Sequence, residues 1–500
     1  MNSALPLLPI LLPILFGVLL LLPLARGWRV GLSLLSAALM LLSSLALLRA
    51  TSGGEILTSA LGGWAAPYGI VMVADRLASI LSVLASVAAL ISLLHAAARP
   101  DAAREKYGLF AFLQLLFAGV QLSFLTGDLF NLFVAFEVML VASYALSVLG
   151  STRQQLREGF RYIVMNLTAS ALLVVTAGLI YGVLGTLNFA DLSRRSAELG
   201  PNTTVTSLGV LLLIVFAAKS ALFPLGFWLP GTYPAVPGAV GAFFAAILTK
   251  VGVYALLRIT LTVFNQEAQV AQTILLLFGG VTMLTGALGA LTQREWRRIL
   301  SFTVMSSVGY LAYGAGLGQL GLGQLTAEGA SLSATLFYLL GSVLVTLALF
   351  LVAAGAEQLS GQSDVRRHGF LDRSPGLAAA FMLCALTLAG LPPTAGFIAK
   401  FGLIQAGVQG GPLALIATGC ALLASLILLY AMLDIWRNFF WGPRSEGRVW
   451  PIPRRQALPL WLSVGLVALS AIFAGPLYAL CVAAAGQLSE PGVYIRSVLP

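Results

Sequence analysis

Apolar runs of about 20 residues follow one another along this 500-residue chain, and that succession restricts the fold more than any single motif. In hydrocarbon every backbone N–H and C=O must be satisfied within the protein, which leaves helices and closed barrels as spanning forms. The runs are continuous rather than alternating, which excludes a barrel, so the chain reads as an all-α polytopic membrane protein. Charged residues are only 9% of the chain and hydrophobic residues 59%, too little polar surface for a soluble protein of this length. Fourteen candidate spans emerge, near 4–25, 30–49, 71–97, 109–127, 129–149, 160–184, 206–223, 236–260, 270–292, 298–317, 330–354, 375–408, 412–436 and 457–484. The connections are short, so residues 1–500 are expected to form a single integral membrane domain. The first run has no basic region before it and no convincing small-residue cleavage site, so it reads as a span rather than a removable signal.

The net charge of +10 has a topological explanation and does not point to nucleic acid. Odd-numbered connections hold Arg26, Arg29, Arg99, Arg104, Lys106, Arg153, Arg157 and Arg161 in the first half. In the second half they hold Arg294, Arg297, Arg298, Arg366, Arg367, Arg373, Arg437, Arg444, Arg448, Arg454 and Arg455. Even-numbered connections hold only Arg49, Arg194, Arg195 and Arg258. The positive-inside rule then places both termini on the non-cytoplasmic side. Cys384, Cys420 and Cys481 lie inside apolar runs at no metal-binding spacing and read as small core residues. There is no phosphate loop, no Cys/His cluster and no nucleophile with a base, so neither enzymatic chemistry nor a cofactor or metal is expected. Buried carboxylates are too few for a cage of hard oxygen ligands around Na+.

The informative groups are the titratable ones inside the runs. The stretch 124–146, FLTGDLFNLFVAFEVMLVASYAL, carries Glu137 in its middle, nine residues past Asp128, or about 13 Å along a helix. With Asp128 at the edge of a hydrocarbon core about 30 Å thick, Glu137 lies near the centre, where a lone charge costs a few kcal/mol and calls for a partner or a task. Of the lysines, only Lys106 is in a connection; Lys219, Lys250 and Lys400 are in the interior. Arginine stays protonated, whereas a desolvated lysine can release its proton.

Two spans also carry breaks. Pro224, Pro230, Pro234 and Pro237 follow Lys219, and Gly390, Pro392, Pro393 and Gly396 precede Lys400. Paired breaks in two halves of a chain point to an inverted-repeat transporter. The plain alternative is a set of isolated ion pairs that fix helix packing, with Lys400 snorkelling. A file of titratable groups across broken helices favours a proton path. Arg76 is expected to pair with its neighbour Asp75 or to snorkel. His95 and His368 read as interfacial, and Asp75 and Asp434, near span ends, are assigned no role.

At these residues the chain resembles a known family. TGDLFNLFVAFEVMLVASY, AKSALFPLGFWLPGTYP with TKVGVYALLR, and AGLPPTAGFIAKFGLI are similar to the antiporter-like subunits of respiratory complex I and of the Mrp-type multisubunit cation/proton antiporters. LTQREWRRILSFTVMSSVGY resembles the family's basic cluster before the tenth span. GDLFNLFVAFE and LTKVGVYALLR most resemble the D subunits of the Mrp (Mnh, Pha) branch.

The resemblance implies two inverted five-helix repeats, spans four to eight (about 109–260) and nine to thirteen (about 270–436). It makes Glu137 the span-five glutamate, Lys219 its partner, Lys250 the central lysine and Lys400 the group at the outer exit. It also implies a bacterial inner membrane, partner membrane subunits of A, B, C, E, F and G type, and H+ with Na+ or K+ as the ions. The expected function is that of a proton-translocating subunit of a Na+(K+)/H+ antiporter. The alternatives are a proton-pumping subunit of a complex I-like NADH:quinone oxidoreductase, a structural subunit without transport, and a self-sufficient single-chain transporter. The chain runs no further than span fourteen, so the complex I subunit with a long C-terminal lateral helix is not expected. The sequence departs from the family at Ser307, where a histidine is common, and at Gly341 and Thr346, where many relatives carry a histidine and a lysine. Water held by Ser333, Thr335, Ser342 and Thr346 is the expected substitute.

Overall fold

Apolar helix is what this chain builds. The computed structural model describes residues 2–264, 268–318, 328–365, 369–441 and 452–499. His368, Arg366, Arg367, Arg444 and Arg448 lie outside the described residues. Eleven described helices are long and apolar enough to cross a membrane, and shorter apolar helices run over Ala4–Leu19, Leu109–Leu125, Pro375–Ala389, Ala395–Val408 and Ala474–Leu488. Gly238–Val263 and Ser331–Ser360 are buried along their whole apolar windows, whereas Pro412–Phe440 and Arg454–Ile472 are only 33% buried. The first two, with Trp296–Leu317, therefore form the centre of the bundle and the others its margin.

Glycine sets how closely neighbouring helices approach. A Cβ at Gly119 would lie 2.5 Å from the Met139 amide nitrogen, and one at Gly286 would lie 2.4 Å from that of Ser306. Leu109–Leu125 thus meets Leu129–Val148, and Ala268–Thr292 meets Trp296–Leu317, at backbone contact.

Both expected breaks are present. The helix Thr203–Ser220 stops at Ala221, whose φ is +65°, and the chain resumes as Leu229–Ala235 and then Gly238–Val263. The groups freed there find partners: the Phe223 amide donates to Thr282 Oγ1 at 3.0 Å, and Trp228 Nε1 donates to the Ala218 carbonyl at 3.2 Å. The second break separates Pro375–Ala389 from Ala395–Val408, with Gly390 at φ +83° between them. Wide, five-residue hydrogen-bonded turns interrupt the central helix at Phe244–Leu248 and Ile259–Val263, on either side of Lys250 and Arg258.

Three features depart from expectation. The third run does not begin as helix: Val71–Ala74 is a strand paired antiparallel with Leu57–Ala60, and Asp75 then caps the helix Arg76–Ala98 by accepting from the Ala78 amide at 2.8 Å. The last run is two helices, Arg454–Ile472 and Ala474–Leu488, because Pro476 lacks the N–H needed to carry one helix through. Beyond it lies a short helix, Pro491–Val498, whose Tyr494 is buried.

Candidate functional site

Lys219 stands in the last turn of Thr203–Ser220 and is 4% exposed. Its Nζ donates to Ser170 Oγ at 2.9 Å and lies 4.5 Å from the centre of the Phe136 ring. Glu137 is the next residue after Phe136, whose ring Lys219 overlies. Their contact is looser than the expected pairing. Among the described residues no ion pair joins them, and Glu137 Oε1 is buried without a hydrogen-bond partner. Asp128 caps the helix of Glu137, its Oδ1 accepting from the Asn131 amide at 2.8 Å. Burial pushes its carboxyl up to about 6, against the Asn131 and Phe130 amides that favour its charged form.

Lys250 is fully buried, and its Nζ reaches back to the Ala245 carbonyl at 3.1 Å. Ala245 lies in the widened turn Phe244–Leu248. Gly252, two residues on, brings the two helices together: a Cβ there would sit 2.5 Å from Ser220 Oγ and 3.1 Å from the Lys219 carbonyl carbon. The end of one broken helix therefore touches the centre of the next, two residues past Lys250.

Lys400 is 3% exposed and does not snorkel. Its Nζ donates to the Leu388 carbonyl at 2.9 Å, the Ala389 carbonyl at 3.2 Å and Ser425 Oγ at 3.0 Å, and lies 4.5 Å from the centre of the Tyr310 ring. It caps the helix that the break cuts short, where the carbonyl ends and the helix dipole favour a cation. Tyr310 in turn meets Ser425 Oγ at 2.7 Å. The arrangement repeats that of Lys219: a lysine beside a break, over an aromatic ring of a neighbouring helix, bonded to a hydroxyl.

Beside Lys400, a cavity of about 10 Å³ is lined by Ser307, Tyr338, Gly341, Ser342, Thr346 and Thr387, among others. That is room for about one water. Three residues at which the sequence departs from the family pattern, Ser307, Gly341 and Thr346, therefore face one small space together with Ser342. Ser333 and Thr335 do not line it; the Thr335 hydroxyl donates to the Ser331 carbonyl at 2.7 Å.

Two groups are placed otherwise than the sequence suggests. Arg258 is not a connection arginine: it is 3% exposed and pairs with Asp75 at 2.6 Å, its guanidinium 5.4 Å from the Tyr254 ring centre and 5.1 Å from that of Tyr494. Asp75 is thus taken from Arg76, which instead donates to the Ser52 carbonyl at 2.8 Å and the Ala483 carbonyl at 3.1 Å. The only sequence signal for this pair is an acid and a base at corresponding ends of spans three and eight. His95, expected at the interface, is buried, with both ring nitrogens unpartnered. Among the described residues no cluster of three or more His, Cys, Asp or Glu side chains is placed to hold a metal.

Comparison with known proteins adds a family. Residues 126–428 match the family described as NADH:quinone oxidoreductase/Mrp antiporter, TM. The D subunit of the Na(+)/H(+) antiporter of Alkalihalophilus pseudofirmus is 40% identical over 88% of this chain and 87% of its own length. A chain of the Mrp complex from Dietzia sp. superposes with a TM-score of 0.90 at 29% identity, covering 100% of this chain and 99% of its own. A chain of respiratory complex I from Thermus thermophilus, at 24% identity and a TM-score of 0.81 over 98% of this chain and 100% of its own, shares the fold.

Proposed function

Because this chain belongs to the NADH:quinone oxidoreductase/Mrp antiporter family, among the D subunits of the Mrp branch, we propose that it carries protons along Glu137, Lys219, Lys250 and Lys400. It is a multi-pass membrane subunit of a cation/proton antiporter, a transporter component rather than an enzyme. The observation that carries the relay is Lys250: wholly buried, held by one carbonyl, and on a helix that meets the end of the Lys219 helix at Gly252.

Like charges disfavour each other's protonation, so a proton on Lys219 lowers the affinity of Lys250. When Lys219 leans toward Glu137, Lys250 takes a proton. When Lys219 turns back toward Ser170, Lys250 releases it toward Lys400. Moving one charge through 100 mV requires about 2.3 kcal/mol, and a shift of two pKa units in one lysine supplies about that much. In the second half, water beside Ser307, Gly341, Ser342 and Thr346 bridges the interval to Lys400.

The wider reading has the same premise. The eleven long helices, with Ala4–Leu19, Leu109–Leu125 and the broken pair Pro375–Ala389 and Ala395–Val408, are read as fourteen crossings. Two inverted repeats, about 109–260 and about 270–436, are supported by the matching glycine contacts and by Lys219 over Phe136 against Lys400 over Tyr310. Both termini face away from the cytoplasm of a bacterial inner membrane, the partners are A, B, C, E, F and G type subunits, and the exchanged cation is Na+ or K+.

The test is cation-dependent pH recovery in everted vesicles carrying the whole complex, energised by a respiratory substrate, with and without Lys250→Ala. Wild type should exchange Na+ or K+ for H+, and the assembled variant should not. Normal exchange by the variant makes Lys250 structural. A wild type indifferent to both cations removes the antiporter reading and leaves a redox-linked proton pump.

A further inference from the structure

On the face whose arginine-rich connections assign it to the cytoplasm, a cavity of about 360 Å³ enters the bundle. Exposed Arg99 and Pro100 lie on its rim, and Asp101, Arg104, Arg297 and His95 line it. Most of its charge is already engaged. Arg104 pairs with Asp101, and Arg297 pairs with Glu357 at 2.6 Å while donating to the Val236 carbonyl at 3.1 Å. His95 differs: it is 5% exposed, yet neither ring nitrogen has a hydrogen-bond partner. A buried imidazole without partners costs free energy unless water or a function supplies them.

The position of the ring gives it a function. A Cβ on Gly238 would lie 3.6 Å from His95 Nε2 and 3.4 Å from Arg297 Nη2, so the ring nitrogen abuts the first residue of the helix that carries Lys250. Lys250 Nζ reaches back to Ala245, seven residues after Gly238, which leaves about 10 Å along the axis between the ring's level and the ammonium. Buried hydroxyls without partners occur on the elements of that interval: Ser92 one turn inward from His95, Tyr233 against Phe244, and Thr249 next to Lys250.

We propose that His95 is the proton-accepting side chain of a wet vestibule that feeds Lys250. The imidazole takes a proton from cavity water at one nitrogen. It gives up a proton from Nε2, through water and these hydroxyls, to the neutral amine of Lys250, which leaves the neutral Nδ1–H tautomer, and exchange of protons with cavity water restores the starting tautomer. The charged groups that face the ring's end of the cavity are Arg99, Arg104 and Arg297, with Asp101 and Glu357 as their acidic counterparts. The inference rests on the proposed relay.

Its test uses the assembled complex in the same everted vesicles. His95→Ala and His95→Gln should slow exchange about tenfold and flatten its pH dependence. Imidazole added to the medium should restore the alanine variant, since the cavity admits it. A packing role for the ring predicts no such rescue. In a background with Cys384, Cys420 and Cys481 changed to serine, Arg99→Cys should react with an impermeant thiol reagent from the cytoplasmic face only, and a bulky adduct there should slow exchange. This arm stands if the His95 variants do not assemble. Wild-type rates in the His95 variants, labelling of Arg99→Cys from the outer face, or labelling without effect on exchange overturns the inference. If these occur while Lys250→Ala abolishes exchange, His95 alone is at fault; if wild type does not exchange, the relay falls first.

Discussion

At the scale of single residues, the interior is governed by what each cation finds to hold. Lys219, Lys250 and Lys400 bond to hydroxyls and backbone carbonyls rather than to acids, an arrangement suited to groups that must also exist neutral. Arg258 has the opposite arrangement, a close buried pairing with Asp75 that suits permanent charge. Asp75→Asn keeps a helix-capping side chain but strands the guanidinium. It should cost about 3–5 kcal/mol of stability, read as a lowered unfolding temperature of the detergent-solubilised protein, while Asp75→Leu with Arg258→Met should cost less. The lysines were legible because they stand alone in apolar runs. Their partners were not, since any carbonyl or hydroxyl can serve and the chain has hundreds. Asp75 with Arg258 escaped for a related reason: the two residues are far apart in sequence, and Arg76 was the nearer candidate.

At the scale of elements, the breaks were legible because proline removes an N–H wherever it stands. The path of the chain beyond a break is set by tertiary contacts, so the capping of Pro375–Ala389 by Lys400 and the seating of Phe223 on Thr282 had no local signal. The strand Val71–Ala74 escaped because four apolar residues ahead of a helix read equally well as its first turn. The contact at Gly252 yields a sharp expectation. Gly252→Val would drive a side chain into Ser220, moving the end of one broken helix from the centre of the next. Exchange should fall by at least about tenfold while the assembled complex remains, because the seating of the Lys219 helix end on the Lys250 helix sets the relay geometry. Quantifying the complex by immunoblot beside vesicle pH recovery checks this, and unchanged exchange would detach that seating from the mechanism.

At the scale of the whole molecule, the helix of Lys250 is among the most buried, and the helices at the margin expose apolar side chains. The class of fold was open to reading because a bilayer leaves few alternatives. The orientation rests on arginine asymmetry, and labelling checks it. In the cysteine-free background Tyr68→Cys, at a side chain 92% exposed, should react with an impermeant reagent only from outside the cell, and Lys106→Cys only from inside. The reverse pattern would invert the direction of every proposed proton step.

The cap at Lys400 carries a mechanical consequence. Three N–H bonds of an ammonium meet three acceptors there: two carbonyls at the end of a severed helix and one serine hydroxyl. A departing proton leaves two hydrogens and a lone pair, so Ser425 must reverse its hydroxyl to satisfy the amine, or one carbonyl must turn elsewhere. The occupancy of a single proton is therefore tied to the hydrogen bonding at the break, through the Ser425 hydroxyl or through the backbone itself, and a voltage that acts on the first is felt by the second.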